Sequence, residues 1–168
     1  MINSIRKGVA GAAIVAAFGI SSMAHAADTE TATAEVEILS ALTLVVDAGS
    51  TLDFGQIAVN GAGTASLNPT TDVVTCGASL VCVGTPRAVD FTVTGTADAT
   101  IGVTLPSGSV NLVNGANTIA LSNFTSTAST VTLTAGSAGF SVGGDLAIAN
   151  GQAAGVYTGT FPVTVEYN

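Results

Sequence analysis

The feature that most constrains the fold is a strict period-two alternation that runs from Thr29 to Val46. Alternation puts successive side chains on opposite faces and is typical of a half-buried β-strand. At roughly 3.3 Å per residue the stretch would span about 60 Å, much longer than an ordinary strand. We therefore predict that it bends between two sheets, or that its two halves belong to different bodies. One face carries Ala32, Ala34, Val36, Ile38, Ser40, Leu42, Leu44 and Val46.

The rest of the chain repeats shorter strand signals about every ten to twelve residues. Gly, Thr, Ser, Val and Ala dominate, and helix signals are nearly absent. Counted with the N-terminal stretch, these signals predict about nine or ten strands and leave no room for a crossover helix. Short antiparallel strands at this spacing predict an all-β fold, an immunoglobulin-like antiparallel β-sandwich.

Turn residues separate the predicted strands. The Asn-Gly pair at 114–115 predicts a β-hairpin, since both residues tolerate the positive φ of a type I′ turn. Gly143–Asp145 predicts a second hairpin, and residues 123–129 are loop-like. The longest clean alternation, Tyr157–Tyr167, predicts the last strand. Pro162 lacks a backbone N–H, so one rung of that strand's ladder must be missing, bulged or at an edge.

Residues 1–26 have the pattern of a secretory signal peptide. Residues 6–7 are basic, Gly8–Ile20 is an apolar run, and Ala24–Ala26 fits an A-x-A cleavage site. The apolar run is too short for a membrane span of about 20 residues. We expect export and a mature chain that starts at Ala27 with no membrane span. A retained amphipathic anchor is the alternative.

The predicted mature chain has room for one domain. Removing 26 residues from 168 leaves 142, enough for a single sizeable core. No linker or domain boundary is evident after Ser40. We predict an N-terminal extension over residues 27–39 and one β-sandwich domain over residues 40–168.

Net charge excludes one class of partner. The whole chain has three basic and eleven acidic residues. Two of the basic residues lie in the predicted signal peptide, so the mature chain keeps one Arg against eleven carboxylates, a net charge of −10. With so little positive charge to neutralise phosphates, nucleic acid is excluded as a partner.

The two cysteines, Cys76 and Cys82, are expected to form a disulfide, because an exported chain reaches an oxidising compartment. The ring is short, and the chain-entropy model gives it only about 2 kcal/mol. We expect the bond to fix one loop rather than hold the fold together. Metal binding by this pair is disfavoured, because the mature chain has no histidine to complete a site.

The side-chain inventory argues against an enzyme and against a cofactor. The mature chain has no histidine, lysine or tryptophan, so its many Ser and Thr hydroxyls lack a base that could activate them. Pairs of carboxylates remain, but they fall at outward or turn positions, where solvated surface charge explains them. The clustered carboxylates of a calcium loop are absent from the sequence.

Arg87 is the one cation of the predicted mature chain, just before a strand. Three interpretations stay open. Arg87 clamps a ligand carboxylate, pairs with a neighbour's acid, or forms a surface ion pair worth under about 1 kcal/mol.

Two motifs carry a family resemblance. The first is Leu52-Asp53-Phe54-Gly55 after the alternating N-terminal stretch, and the second is the spacing of Gly155, Tyr157, Phe161, Val163, Val165 and Tyr167. Over nearly the whole mature chain this order resembles secreted bacterial proteins that carry a domain of unknown function. At its two ends and in its strand plan it also resembles the spore-coat-U-like subunits of archaic chaperone–usher pili.

The second resemblance implies donor-strand exchange. Such subunits are immunoglobulin-like sandwiches that lack one strand, which leaves an apolar groove beside the C-terminal strand. A periplasmic chaperone fills the groove before an outer-membrane usher assembles the fibre, in which the next subunit's N-terminal extension replaces the chaperone. By position, the plugs would be Ala32, Ala34, Val36 and Ile38. The groove-bordering strand would carry Tyr157, Phe161, Val163, Val165 and Tyr167.

Two departures from this pattern bear on how tightly exchange occurs: Pro162 interrupts the bordering strand, and Ala32 and Ala34 are small plugs. Two alternatives remain for the extension, which could pair with its own domain as an edge strand or form a disordered lead. A different function also stays open: a secreted, self-complete β-sandwich that binds a ligand, such as a cell-surface adhesin or glycan binder.

Overall fold

The computed structural model describes residues 29–168. The predicted signal peptide and the cleavage site before Ala27 lie outside the described residues. The chain separates into two units between Val36 and Glu37, and all strands in the described range belong to the second unit, Glu37–Asn168. Regular secondary structure begins at Thr43.

The second unit contains twelve strands and one 3₁₀ turn at Thr134–Gly136. The strands are β1 (Thr43–Val46), β2 (Gln56–Val59), β3 (Gly63–Asn68), β4 (Val73–Cys76), β5 (Leu80–Val83), β6 (Val89–Thr94), β7 (Thr100–Thr104), β8 (Val110–Asn114), β9 (Asn117–Ser126), β10 (Thr130–Thr132), β11 (Ser137–Ile148) and β12 (Thr164–Tyr167). β-Branched and small residues fill them, as expected of pleated, half-buried surfaces.

The largest sheet has seven strands and is built around β11. The first half of β11 pairs with β6 and the second half with β3, while β9 pairs along the opposite edge. β1, β4 and β8 lie at the outer ends of this sheet. A second sheet has the order β10-β7-β12, and β2 pairs with β5 alone. Every pairing is antiparallel.

The apolar core consists of two clusters that meet in the middle of the domain. The first surrounds Leu67 and Leu121, and the second surrounds Val93 and Ile101, whose side chains are fully buried. Leu52, Phe124 and Phe161 pack against both clusters. The rings of Phe124 and Phe161 lie with centroids 4.8 Å apart. Antiparallel sheets packed together on this core confirm the predicted all-β sandwich.

The predicted hairpin at Gly143–Asp145 is wrong, because β11 continues through it as one strand of 12 residues. The register with β9 shifts between Gly143 and Asp145, so the glycines form a bulge rather than a turn. A Cβ at Gly143 would overlap the carbonyl oxygen of Leu67. The two glycines therefore allow neighbouring strands to approach β11 closely where its partner changes from β6 to β3.

The hairpin predicted at residues 114–115 is confirmed, but its turn lies one residue later. Asn114 still pairs with Asn117 at the end of the β8–β9 ladder. The central residues are Gly115 and Ala116, and of these Gly115 alone has a positive φ, of 58°. That is the requirement of a type II′ turn rather than the predicted type I′. The loop predicted from residue 123 is also wrong in part, since β9 extends to Ser126.

The predicted last strand is much shorter than its sequence pattern. Only Thr164–Tyr167 forms a regular strand, paired with β7. Earlier in the segment, Thr158 makes an isolated bridge to Val113 in β8. Residues 159–163 belong to no strand and make no bridge to the other described residues.

Candidate functional site

The first half of the site is the N-terminal segment before β1. All side chains from residue 29 to residue 41 are exposed, and none of these residues lies in a strand. The plug candidates Ala32 and Ala34 are among them. Val36 is 83% exposed and Ile38 is 89% exposed, the two highest values among the large apolar side chains of the described residues. The segment thus exposes the branched apolar side chains of Val36 and Ile38 and has no secondary structure of its own.

The second half is an apolar cavity of about 400 Å³ within the domain. One side is formed by residues 50–52 with Val46 and Phe54, and the other by residues 157–161. Val89, Phe91, Leu112 and Leu121 from three strands complete its lining. The cavity lies where the two core clusters meet, since Leu52 and Phe161 belong to both.

A second cavity, of about 590 Å³, adjoins the first. Residues 52–59 form one side and residues 152–157 the other, above Ile119, Leu146 and Ile148. The two cavities share Leu52, Phe54, Leu112 and Tyr157. Together they form a long apolar depression, which we call the groove.

The two sides of the groove have unpaired backbone. Asp53 uses its N–H and C=O to pair with Arg87, with both bonds at 2.8 Å. In an extended chain the groups of the flanking residues, Leu52 and Phe54, then point to the opposite edge. Among residues 29–168, no hydrogen bond to the backbone of Leu52, Phe54 or residues 159–163 is found. Each side therefore ends in a free strand edge.

Two prolines explain why the segment just before β12 does not continue the pairing with β7. The β12–β7 register pairs Val165 with Val103 and Thr164 with Thr104. Continuing that register by two residues places Pro162 opposite Pro106. Neither proline has an N–H to donate, so this rung cannot form from either side and the ladder ends. The missing rung predicted from Pro162 is thus a real feature of the strand, and Pro106 reinforces it.

The five residues predicted to border the groove fall into two groups. Tyr157 and Phe161 line the first cavity. Val163, Val165 and Tyr167 are half-buried against the second core cluster and lie outside both cavities. Sequence reasoning missed the side of the groove formed by residues 152–156, because these residues have a turn-like composition. The N-terminal alternation also predicts that Leu42, Leu44 and Val46 lie in the core, whereas Val46 is 50% exposed and lines the groove.

Hydrogen bonds hold the second cavity's wall in place. The amide nitrogen of Gln152 donates to the Tyr157 hydroxyl at 2.8 Å. That hydroxyl donates in turn to the carbonyl oxygen of Ala153, also at 2.8 Å. The turn before Tyr157 is therefore tied to the same side chain that lines both cavities.

A second tyrosine fixes the point where the N-terminal segment joins the domain. The Tyr167 hydroxyl donates to the carbonyl oxygen of Ser40 at 2.7 Å and accepts from the Thr96 N–H at 2.8 Å. The Ser40 N–H donates to Thr96 Oγ1 at 2.7 Å. We call this set of three residues the tyrosine clamp. It joins the start of β1 to the last strand.

Cys76 and Cys82 form the predicted disulfide, with their Cα atoms 6.2 Å apart. The bond closes the short connection between β4 and β5. Both cysteines pack at the edge of the first core cluster. Their position at a strand connection, away from the groove lining, agrees with the expected role of fixing one loop.

Two features of residues 29–168 concern metal binding and membrane spanning. No group of three or more His, Cys, Asp or Glu side chains in this range is arranged to hold a metal ion. No helix in the same range is long and apolar enough to cross a membrane.

Comparison with known proteins places the chain in one family. No curated protein and no solved structure matches it. One family model matches residues 44–167, which include β1 to β12 almost completely and both sides of the groove. The chain belongs to the family described as a domain of unknown function, DUF4402.

Proposed function

We propose that this protein is a structural subunit of an extracellular fibre, a pilus or fimbria, assembled by donor-strand exchange. The observation that carries the proposal is a pair of backbone edges without hydrogen-bond partners among residues 29–168, at Leu52 and Phe54 and at residues 159–161, which line one apolar cavity. An immunoglobulin-like sandwich that lacks one strand has this arrangement. The exposed alternating segment before β1 supplies a strand of matching character to a neighbouring copy.

Strand addition suits both partners physically. An extended chain placed in the groove gains main-chain hydrogen bonds from the free edges, while alternate side chains enter the apolar floor. Ala32, Ala34, Val36 and Ile38 lie on one face of the segment and would be the plugs. Thr31, Thr33, Glu35 and Glu37 lie on the other face and would remain in water.

Plug burial contributes several kcal/mol to the exchange. Full burial of Val36 and Ile38 contributes about 1.5–3 kcal/mol each, and the two alanines contribute less. The ordering of the extension and the loss of free motion on association oppose this gain. Main-chain hydrogen bonds add a further net contribution of about 0.5–1.5 kcal/mol each.

The geometry of donation leads to a filament. Each copy gives its extension to one neighbour and receives an extension from another, so the contact is heterologous and does not close on itself. In this proposal the exported subunit passes through the periplasm bound to a chaperone. An outer-membrane usher then adds it to a surface fibre, with no cofactor and no catalytic step.

The test compares the mature chain, residues 27–168, with a variant that lacks residues 27–38. We expect the mature chain to form fibres visible by negative-stain microscopy, and the shortened chain to stay monomeric in sedimentation. A matched pair separates the two faces of the extension. Val36→Thr with Ile38→Thr should block assembly, whereas Thr31→Ala with Thr33→Ala should leave it intact.

Adding a synthetic peptide of residues 27–39 to the shortened chain, provided that chain gives a cooperative melt, should raise its Tm. Fibres from the shortened chain would contradict the assignment of the donor strand. The proposal would be overturned if the mature chain stayed monomeric under all conditions and the peptide left the Tm of the shortened chain unchanged. That result would favour the self-complete binding module.

A further inference from the structure

The groove sits next to the one cation of the predicted mature chain. Arg87 is exposed, and its backbone pairs with Asp53. Directly opposed residues of an antiparallel pair project to the same face. The Arg87 and Asp53 side chains therefore share the outer face, while Leu52 and Phe54 point into the groove on either side of Asp53.

The extension has the complementary pattern. Glu37 lies between the two largest plugs, Val36 and Ile38, and projects to the opposite face. The extension from residue 27 to residue 39 has four acids, Asp28, Glu30, Glu35 and Glu37, and no cation. An acidic strand thus approaches a domain whose single cation stands beside the groove.

We infer that Arg87 receives the Glu37 carboxylate of the incoming extension and so sets the register of strand exchange. This inference rests on the proposed function. The two cavities meet at Leu52 and Phe54, the residues that flank Asp53. When Val36 fills one cavity and Ile38 the other, Glu37 lies at their junction, on the outer face beside Asp53.

The distances allow this pairing. The extension would form the strand on one side of Asp53, and Arg87 already occupies the strand on the other side. Two strand spacings amount to about 10 Å between the outer backbones. The long side chains of Arg and Glu can close that distance across Asp53, and the five guanidinium N–H donors can serve two carboxylates.

The pair also gives specificity. Without Arg87, the Asp53 carboxylate would face the Glu37 carboxylate, which has the same charge. Each two-residue slip of the extension would also bring a different residue to the position beside Asp53 and Arg87. A slip of two towards the N-terminus brings Glu35 to Arg87 but leaves Val36 and Ala34 to fill the cavities. Only one register places Glu37 beside Arg87 and at the same time fills the cavities with the two largest plugs, Val36 and Ile38.

The test measures fibre assembly of the mature chain by light scattering at low salt. We expect Arg87→Gln to slow assembly about two- to fivefold, and Arg87→Glu about tenfold, as for an exposed ion pair that is removed or reversed. Combining Arg87→Glu with Glu37→Arg should restore the rate to within about twofold. The matched control, Arg87→Glu with Glu30→Arg, should stay slow.

Salt and folding readouts complete the design. The difference between wild type and Arg87→Glu should shrink as salt rises, because an exposed pair is screened. The thermal midpoint of unassembled Arg87→Gln should be unchanged, since any non-proline residue can make the backbone pair with Asp53. That of Arg87→Glu should fall only slightly, since an exposed like-charge pair with Asp53 destabilises the fold only weakly. Equal assembly of wild type and Arg87→Glu would overturn the inference while leaving the proposed function standing. Equal rescue by Glu30→Arg would overturn it too, since net charge alone would then explain the effect.

Discussion

The two halves of the C-terminal segment have the same sequence pattern and different structures. In Thr164–Tyr167 the backbone is paired with β7 and the hydroxyl of Tyr167 closes the tyrosine clamp. In residues 159–163 the alternation of side chains continues, with Phe161 and Val163 half-buried, yet the backbone has no partner. The difference shows that alternation reports which side chains are buried and does not report which backbone groups are bonded.

Removing the central side chain of the open half should have the largest effect. Phe161 packs against both core clusters and against Phe124, so we expect Phe161→Ala to lower the free energy of unfolding by about 3 kcal/mol. Urea denaturation followed by circular dichroism measures this. The control in the paired half, Val165→Ala, should cost less because it removes a smaller side chain. A cost below about 1 kcal/mol for Phe161→Ala would mean that the open half is not anchored by its side chains.

Amide hydrogen exchange in the monomeric mature chain should separate the two halves directly. The Asn168 N–H bonds to Thr100 at 3.1 Å, so by alternation the N–H groups of Thr164 and Glu166 also face β7. We expect them to exchange at least about tenfold more slowly than those of Thr160 and Phe161, relative to free-peptide rates. Equal protection in both halves would remove the distinction on which the groove depends.

The smallest effect tests the proline explanation. Replacing Pro106 and Pro162 together by Ala supplies the two N–H groups that the missing rung lacks. Each new hydrogen bond stabilises the fold by about 0.5–1.5 kcal/mol. Each lost proline destabilises it by about 0.4–1 kcal/mol, because the unfolded chain gains conformational entropy. The free energy of unfolding should therefore change by about 1 kcal/mol or less. New exchange protection at positions 106 and 162 should nevertheless appear in the double variant, and each single variant should show weaker protection at its one new amide. No protection in the double variant would show that another feature keeps the edge open.

Much of the fold followed from the sequence because alternation and turn chemistry are local. The all-β class, the hairpin near Gly115 and the disulfide needed no long-range information. β2, β3 and β5 were not anticipated. β2 and β5 have only four residues each, too few to show a clear alternation, and the Gly, Thr and Ser of β3 resemble the composition of the connections around it. The glycines of β11 were mistaken for a turn, since a bulge and a turn both need residues without a bulky side chain.

The groove was predictable only from one side. Tyr157 and Phe161, predicted by position to border a groove, both line the first cavity, and their role in strand exchange stays a prediction. The other side combines Val46, Leu52 and Phe54, whose positions depend on the path of the chain after β1. The pairing of Asp53 with Arg87 spans a loop of more than thirty residues, and alternation carries no information about such distant partners. The Pro106–Pro162 match is visible only once the register of β7 with β12 is known.

The tyrosine clamp has a mechanical consequence. In the proposed fibre, tension along the extension would enter each subunit at Ser40. There the backbone is bonded both to Thr96, at the end of β6, and to Tyr167 of β12. β6 belongs to the seven-stranded sheet and β12 to the three-stranded one. A force on one subunit would therefore act on both sheets of the sandwich before it acts on the hydrogen bonds of β1 alone. The domain should then resist unzipping of β1 from the edge of its sheet.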